Sequence, residues 1–263
     1  MKLLSLPLPL RNRQAGLSLI ELMVAMLIGL FLILGVTQIF INNQKSYLFQ
    51  QGQVGNQENG RFAMALLSQE LSKAGYRSNP AKSFPSGAGL GCSFAQDTSV
   101  IAVSTTALCL RYQAANKNDV NCQGTALSSG IQDTITAPYS KQINPIVIEK
   151  IEYDAASKSI VCTSGTVAKQ PLVTGVAGLR FEYGSGPGDL KAVSTFSANP
   201  TDTVGAVRYT VLMQSQGTAS VRDDATTSAA LNEWNTRFGD SLVDSNQIYQ
   251  LVQGTTMIRN QMQ

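Results

Sequence analysis

The sequence has 263 residues, 43% hydrophobic and 14% charged, which is enough apolar chain for a packed core and too high a hydrophobic share for a disordered one. Its formal charge of +3 equals Lys2, Arg11 and Arg13, which precede Gly16 with no acid among them, so the rest of the chain is neutral and offers no broad surface for nucleic acid. There is no histidine, which excludes imidazole general bases, Ser-His and Cys-His nucleophile pairs and imidazole metal sites.

From Leu17 to Ile41 the only charged residue is Glu21. The run covers about 25 residues, or ~37 Å as a helix at ~1.5 Å per residue, and no proline interrupts it. It reads as a transmembrane helix. Three basic residues precede it and none follows until Lys45, which predicts a cytoplasmic N-terminus with the remaining chain across the membrane. A secretory signal cleaved behind the run would need a small-x-small site there, and Thr37-Gln-Ile-Phe-Ile-Asn-Asn43 offers none. An uncleaved anchor is the plain alternative, but it leaves Glu21 unexplained. An ionised carboxylate in hydrocarbon costs at least ~2.5 kcal/mol, so it needs a partner. A cut after Gly16 would make Leu17 the first residue, with a cationic α-amino group one helical turn from Glu21. Paired with the amine of a neighbouring helix, Glu21 would set the axial register of that neighbour, a use of buried ion pairs that selects geometry rather than adding stability.

Gly16 followed by Leu17-Ser-Leu-Ile-Glu21-Leu-Met-Val-Ala-Met26 resembles the class III leader junction of type IV prepilins and pseudopilins. The resemblance implies cleavage after Gly16 by prepilin peptidase, N-methylation of Leu17, and insertion into a helical filament. Leu17 stands where phenylalanine is commoner.

Behind Ile41 the chain turns polar. Gly52, Gly55 and Gly60 fall within Gln50–Gly60 and admit a helix break or a loop there, since each mid-helix glycine costs ~1 kcal/mol relative to alanine. Phe62, Leu66, Leu67, Leu71 and Ala74 then recur at helical spacing, and Gly75 and Pro80 supply stop signals. Beyond residue 76, strand-like pieces are predicted at Val100–Thr105, Ala107–Gln113, Ile146–Tyr153, Ser159–Thr163, Val176–Tyr183, Ala206–Gln214 and Ile248–Arg259. Asp154-Ala-Ala-Ser-Lys158 reads as a hairpin connection, and Ser228–Phe238 as a short helix. The fold class expected is α+β: a long N-terminal hydrophobic helix packed against an antiparallel β-sheet head. The organisation expected is a leader over 1–16, the helix over 17–75, and a periplasmic head over 76–263.

Cys92, Cys109, Cys122 and Cys162 all follow the apolar run and form no Cys-x-x-Cys pair. In an exported segment they read as two disulfides rather than as free thiols. Three connectivities exist; Cys92–Cys109 with Cys122–Cys162 is preferred, and Cys109–Cys122 with Cys92–Cys162 is the runner-up. Asn116–Asn121 and Asp240–Asn246 hold oxygen ligands without an EF-hand pattern and read as solvated loops. Asp223-Asp224 reads as a solvent-facing turn. Gly184-Ser-Gly-Pro-Gly188 lacks the Lys-Ser/Thr of a phosphate loop. Trp234 and Phe238, at helical spacing, read as a packing anchor.

A second resemblance is scattered along the chain. Asn59-Gly-Arg-Phe62, Ala74-Gly-Tyr76, Leu110-Arg-Tyr112, Cys122-Gln-Gly124, Gly178-Leu-Arg-Phe-Glu-Tyr-Gly184, Ala206-Val-Arg-Tyr209 and Thr256-Met-Ile-Arg-Asn260 are similar to the pattern of the PilW family of minor pilins. This implies a low-copy, non-enzymatic subunit that helps initiate or prime type IV pili near the tip. Its implied partners are other minor and major pilins, prepilin peptidase and the inner-membrane assembly platform, with no cofactor, metal or nucleic acid. A type II secretion pseudopilin of the J-like tip class and a DNA- or ligand-binding tip pilin are the alternatives. A membrane-tethered periplasmic enzyme would need a cluster of acids or a nucleophile, which the sequence does not display.

Overall fold

A computed structural model describes residues 16, 18–186, 193–217, 222 and 226–261. The chain divides into two units, Met1–Leu48 and Phe49–Gln263.

The helix α1 (Leu19–Lys73) contributes to both units. In the first, apart from Glu21, Thr37 and Gln38, the residues of α1 through Ile41 are apolar, and the large ones among them are exposed. By length and composition this segment is apolar enough to cross a membrane. In the second unit, α1 buries Asn56, Gly60, Ala63, Leu67, Glu70 and Leu71 at steps of three and four, one stripe of a 3.6-residue helix.

The expected break near 50–60 is not present; α1 runs through Gln50–Gly60 as helix. The glycines serve a close approach instead. A Cβ on Gly52 would stand 2.9 Å from Ile248 Cδ1, and one on Gly60 would stand 3.2 Å from Val252 Cγ1. Phe62, placed on the buried face from its spacing, is 52% exposed. The buried stripe is rotated toward Gly60 and Ala63, small residues that let the sheet come near. The helix ends as the sequence predicts: Gly75 adopts φ 77°, and its N–H donates to the Arg111 carbonyl at 3.0 Å.

Among the described residues the head has two antiparallel sheets and a small hairpin. The hairpin pairs β1 (Gly87–Gly89) with β2 (Cys92–Phe94). The first sheet contains β3 (Val100–Ser104), β4 (Ala107–Gln113), β5 (Ile146–Asp154), β6 (Ser159–Ser164) and β7 (Gln170–Thr174), in chain order. The second contains β8 (Val176–Ser185), β9 (Thr195–Ser197), β10 (Ala206–Gln214) and β11 (Tyr249–Met257), in the order β11-β10-β8-β9. A short α2 (Ser129–Gln132) lies in the β4–β5 connection, and α3 (Ala229–Phe238) lies between β10 and β11. The predicted hairpin at Asp154–Lys158 joins β5 to β6 with Lys158 at φ 47°.

One core serves helix and sheets. Ala63, Leu67 and Leu71 of α1 pack with Leu108, Leu110 and Ile151 of the first sheet and with Val207, Tyr209 and Val211 of the second. Strand β4 is buried along its whole length. Its Leu108, Leu110 and Tyr112 join this core, while Cys109 packs with Cys92 and Phe94 in a smaller cluster. The fold is therefore α+β, a long apolar helix packed with antiparallel sheets.

Candidate assembly segment and head motifs

Ser18 opens α1. Its carbonyl accepts hydrogen bonds from the N–H groups of Glu21 at 3.0 Å and Leu22 at 3.2 Å. Glu21 therefore sits in the first turn, where unpaired helix amides favour a negative charge. Gly16 is exposed just ahead of it, and residues 1–15 and Leu17 lie outside the described residues. Ile20, Leu22 and Val24 around Glu21 are exposed too. The result is an acid at the head of an uncovered apolar helix. Water tolerates that arrangement; lipid or a helix bundle demands a cation beside it.

In the head, the sequence patterns singled out above acquire specific physical roles. Gly178 leaves room for the buried Trp234: a Cβ there would stand 2.5 Å from Trp234 Cζ2. Arg180 donates to both oxygens of Asp240 at 2.6 and 2.7 Å, and its guanidinium lies 5.6 Å from the Trp234 ring centroid. Trp234 Nε1 donates to Asp240 Oδ2 at 2.7 Å. Glu182 accepts from Arg208 at 2.7 and 2.9 Å and from Arg237 at 3.0 Å. Burial works to raise the Glu182 pKa, but the two arginines win and hold its carboxylate below the ordinary range. Trp234 and Phe238, 4.6 Å apart at their centroids, anchor α3 on this sheet.

Arg111, in phase with Cys109 on β4, is buried in a cage. It donates to the carbonyls of Thr98 at 2.6 Å, Pro85 at 2.7 Å and Ala95 at 2.8 Å, between the rings of Phe84 and Phe94 at 4.8 Å each. Burial lowers its pKa, opposed by Asp97. Gln123 donates to the carbonyls of Cys162 at 3.0 Å and Ala168 at 2.9 Å. Asn260 Nδ2 donates to the carbonyls of Ser72 at 3.1 Å and Ala74 at 3.2 Å, tying the chain's final residues to the end of α1.

The four cysteines form Cys92–Cys109 and Cys122–Cys162, with Cα–Cα distances of 6.5 and 6.3 Å. The loop oxygens considered as ligands are spent on the protein itself. Asp119 accepts from the N–H groups of Ala115 and Asn116, and Asn121 from those of Gln123 and Thr125. Asp244 accepts from Arg222 and from the N–H groups of Ser228 and Asn246. Among the described residues no cluster of three or more Cys, Asp or Glu is arranged to hold a metal ion. Asp223-Asp224 and part of Gly184–Gly188 lie outside the described residues.

Comparison with known families locates both ends of this architecture. Residues 11–37 match the prokaryotic N-terminal methylation motif, and residues 151–260 match the family described as Type IV Pilus-assembly protein W. In these two segments the chain is similar to PilW-family type IV pilin-like proteins. A solved type IV-like pilin from Thermus thermophilus is similar over 78% of this chain and 96% of its own, at 11% identity and a TM-score of 0.45. No curated protein matches the sequence.

The head segment matched to the PilW family contains the Gly178–Trp234 contact, the Arg180–Asp240 and Glu182–Arg208 pairs and Asn260. Sequence reasoning passed over the acid of β5, Glu149. The signal was present: Glu149 alternates in phase with Val147 and Ile151, and all three are buried.

Proposed function

We propose that this minor pilin helps initiate type IV pilus assembly and sits near the filament tip. The observation that supports this reading is Glu21, one turn into an uncovered apolar helix directly behind Gly16. Cleavage after Gly16 by prepilin peptidase frees the α-amino group of Leu17, which is then methylated. That amine, on a neighbouring pilin, neutralises Glu21 in a region of low dielectric and fixes the axial register of the incoming subunit. Before assembly the N-terminus faces the cytoplasm, α1 spans the inner membrane and the head lies in the periplasm. Its partners are other minor and major pilins and the inner-membrane assembly platform.

The test joins mass spectrometry of the purified protein to a filament-incorporation assay. The mature chain is expected to begin at a methylated Leu17. Glu21→Ala is expected to be processed normally yet excluded from filaments, and its normal incorporation would overturn the register role. Deletion is expected to abolish surface pili while leaving type II secretion intact; the reverse outcome assigns the protein to a secretion system.

A further inference from the structure

Glu149 is wholly buried in the middle of β5. Its Oε1 accepts from Tyr112 Oη of β4 at 2.9 Å and from the Cys122 N–H at 2.8 Å. Its Oε2, also buried, has no hydrogen-bond partner among the described residues. Facing it from α1 are Glu70, 4% exposed, and Lys73, whose Nζ donates to Glu70 Oε2 at 2.7 Å. Asp119, from the β4–β5 connection, adds negative charge near Tyr112. Lys73, the cation that acts on Glu149 among the described residues, is thus engaged by Glu70. A charged Glu149 would leave a buried anionic oxygen without a donor, beside a second carboxylate.

We propose that Glu149, buried with Oε2 unsatisfied and faced by Glu70 and Lys73, is a proton-operated latch: neutral, it is accommodated and the Cys122 loop stays closed against the sheet under α1; charged, it draws water to Oε2 and the loop opens, the burial of that oxygen outweighing the Tyr112 and Cys122 donors, which favour the charge. The loop is well placed to respond. Cys122 is bonded to Cys162, and Gln123 bridges to the Cys162 and Ala168 carbonyls, so the Glu149 contact is the inner of several ties on one short segment. A groove of about 540 Å³ lined by Lys73, Tyr76, Tyr112, Asp119 and Asn260 lies alongside. Opening of the latch admits water there to solvate the carboxylate.

Burial, reinforced by Glu70 and opposed by Lys73, Tyr112 and the Cys122 amide, pushes the Glu149 pKa up to about 7. An unfolded chain titrates the same group at an ordinary glutamate value. Folding is therefore favoured at acid pH, and that advantage is lost as pH rises toward 7. Within this window the folding constant falls about tenfold per pH unit, levelling off once both states are ionised. The sequence has no histidine, so no unperturbed side chain competes for the interval from about pH 5 to 8.

The experiment is thermal unfolding of the full mature chain in detergent micelles at pH 5 to 8.5, with amide exchange followed at Cys122. The wild type is expected to melt at progressively lower temperature as pH rises to about 7, and the Cys122 amide to lose protection over the same range. Glu149→Gln, which keeps the carbonyl acceptor and cannot ionise, is expected to flatten the profile. Glu70→Gln removes the facing charge and lowers the Glu149 pKa, so the loss of stability is expected to be smaller and its midpoint to move to lower pH. That second variant keeps the test decisive if Glu149→Gln does not fold. A flat wild-type profile, or a slope retained in Glu149→Gln, overturns the latch, as does an unshifted midpoint in Glu70→Gln.

Discussion

Gly178 of β8 and Trp234 of α3 touch so closely that the strand has no room for a side chain at this position. A Cβ on residue 178 would meet the indole at 2.5 Å from Cζ2 and 3.0 Å from Cε2. The indole cannot retreat freely, because its N–H is held by Asp240, which Arg180 clamps in turn. Gly178→Ala is expected to destabilise the head by about 1–3 kcal/mol through overpacking. Chemical denaturation followed by the fluorescence of Trp234, the single tryptophan, measures this directly.

The glycines of α1 separate into two kinds. A Cβ at Gly55 would meet nothing within 4 Å, whereas Gly52 and Gly60 lie against Ile248 and Val252. Gly55→Ala is expected to stabilise by about 0.5–1 kcal/mol, the ordinary helix gain. Gly60→Ala is expected to gain nothing or to lose, since the sheet must yield. Melting temperatures of the two variants, compared side by side, check the contrast.

Arg111 holds three loop carbonyls and two aromatic rings around a single guanidinium. Arg111→Ala is expected to cost roughly 2–4 kcal/mol, because the carbonyls of Pro85, Ala95 and Thr98 lose their donor in a packed setting. Arg111→Lys is expected to recover little of this, since an ammonium lacks the planar fork. Urea unfolding of both variants is the measurement.

The two disulfides close loops with separations of 17 and 40 residues. On the chain-entropy account, each contributes about 3–4 kcal/mol, with the longer loop ahead by under ~1 kcal/mol. The Cys122–Cys162 bond also lies in the main core, with Leu110 and Ile151. Replacing this pair by alanine is expected to lower the unfolding midpoint more than replacing Cys92 and Cys109, as read by denaturant titration under oxidising conditions.

Much of this fold is legible in the sequence because its central strands alternate or run apolar for long enough to declare themselves. Ala107–Gln113 and Ala206–Gln214 are strands with those bounds. What escapes is short or broken by turn residues: Gly87–Gly89, Cys92–Phe94, Thr195–Ser197, and β7 with Pro171. Phe62 belongs to the apolar repeat yet lies off the buried face, because apolar spacing gives weight to large residues while α1 meets the sheet through Gly60 and Ala63. Glu21 stands out because a charge in an apolar run is conspicuous. Glu149 and Arg111 do not, because a charged residue in a strand looks like the solvent-facing half of an alternation until the covering layer on that side is known.

Asn260 caps carbonyls of Ser72 and Ala74 from 188 and 186 residues further along the chain, and Thr256 reaches Ser68 across the same distance. The second half of α1 thus takes partners from a segment that the ribosome makes long after it. Until β11 has been made, the Gly60 face of the helix lacks Val252 and has only part of its cover. Burial of this helix face therefore waits on distant chain and cannot proceed turn by turn behind synthesis.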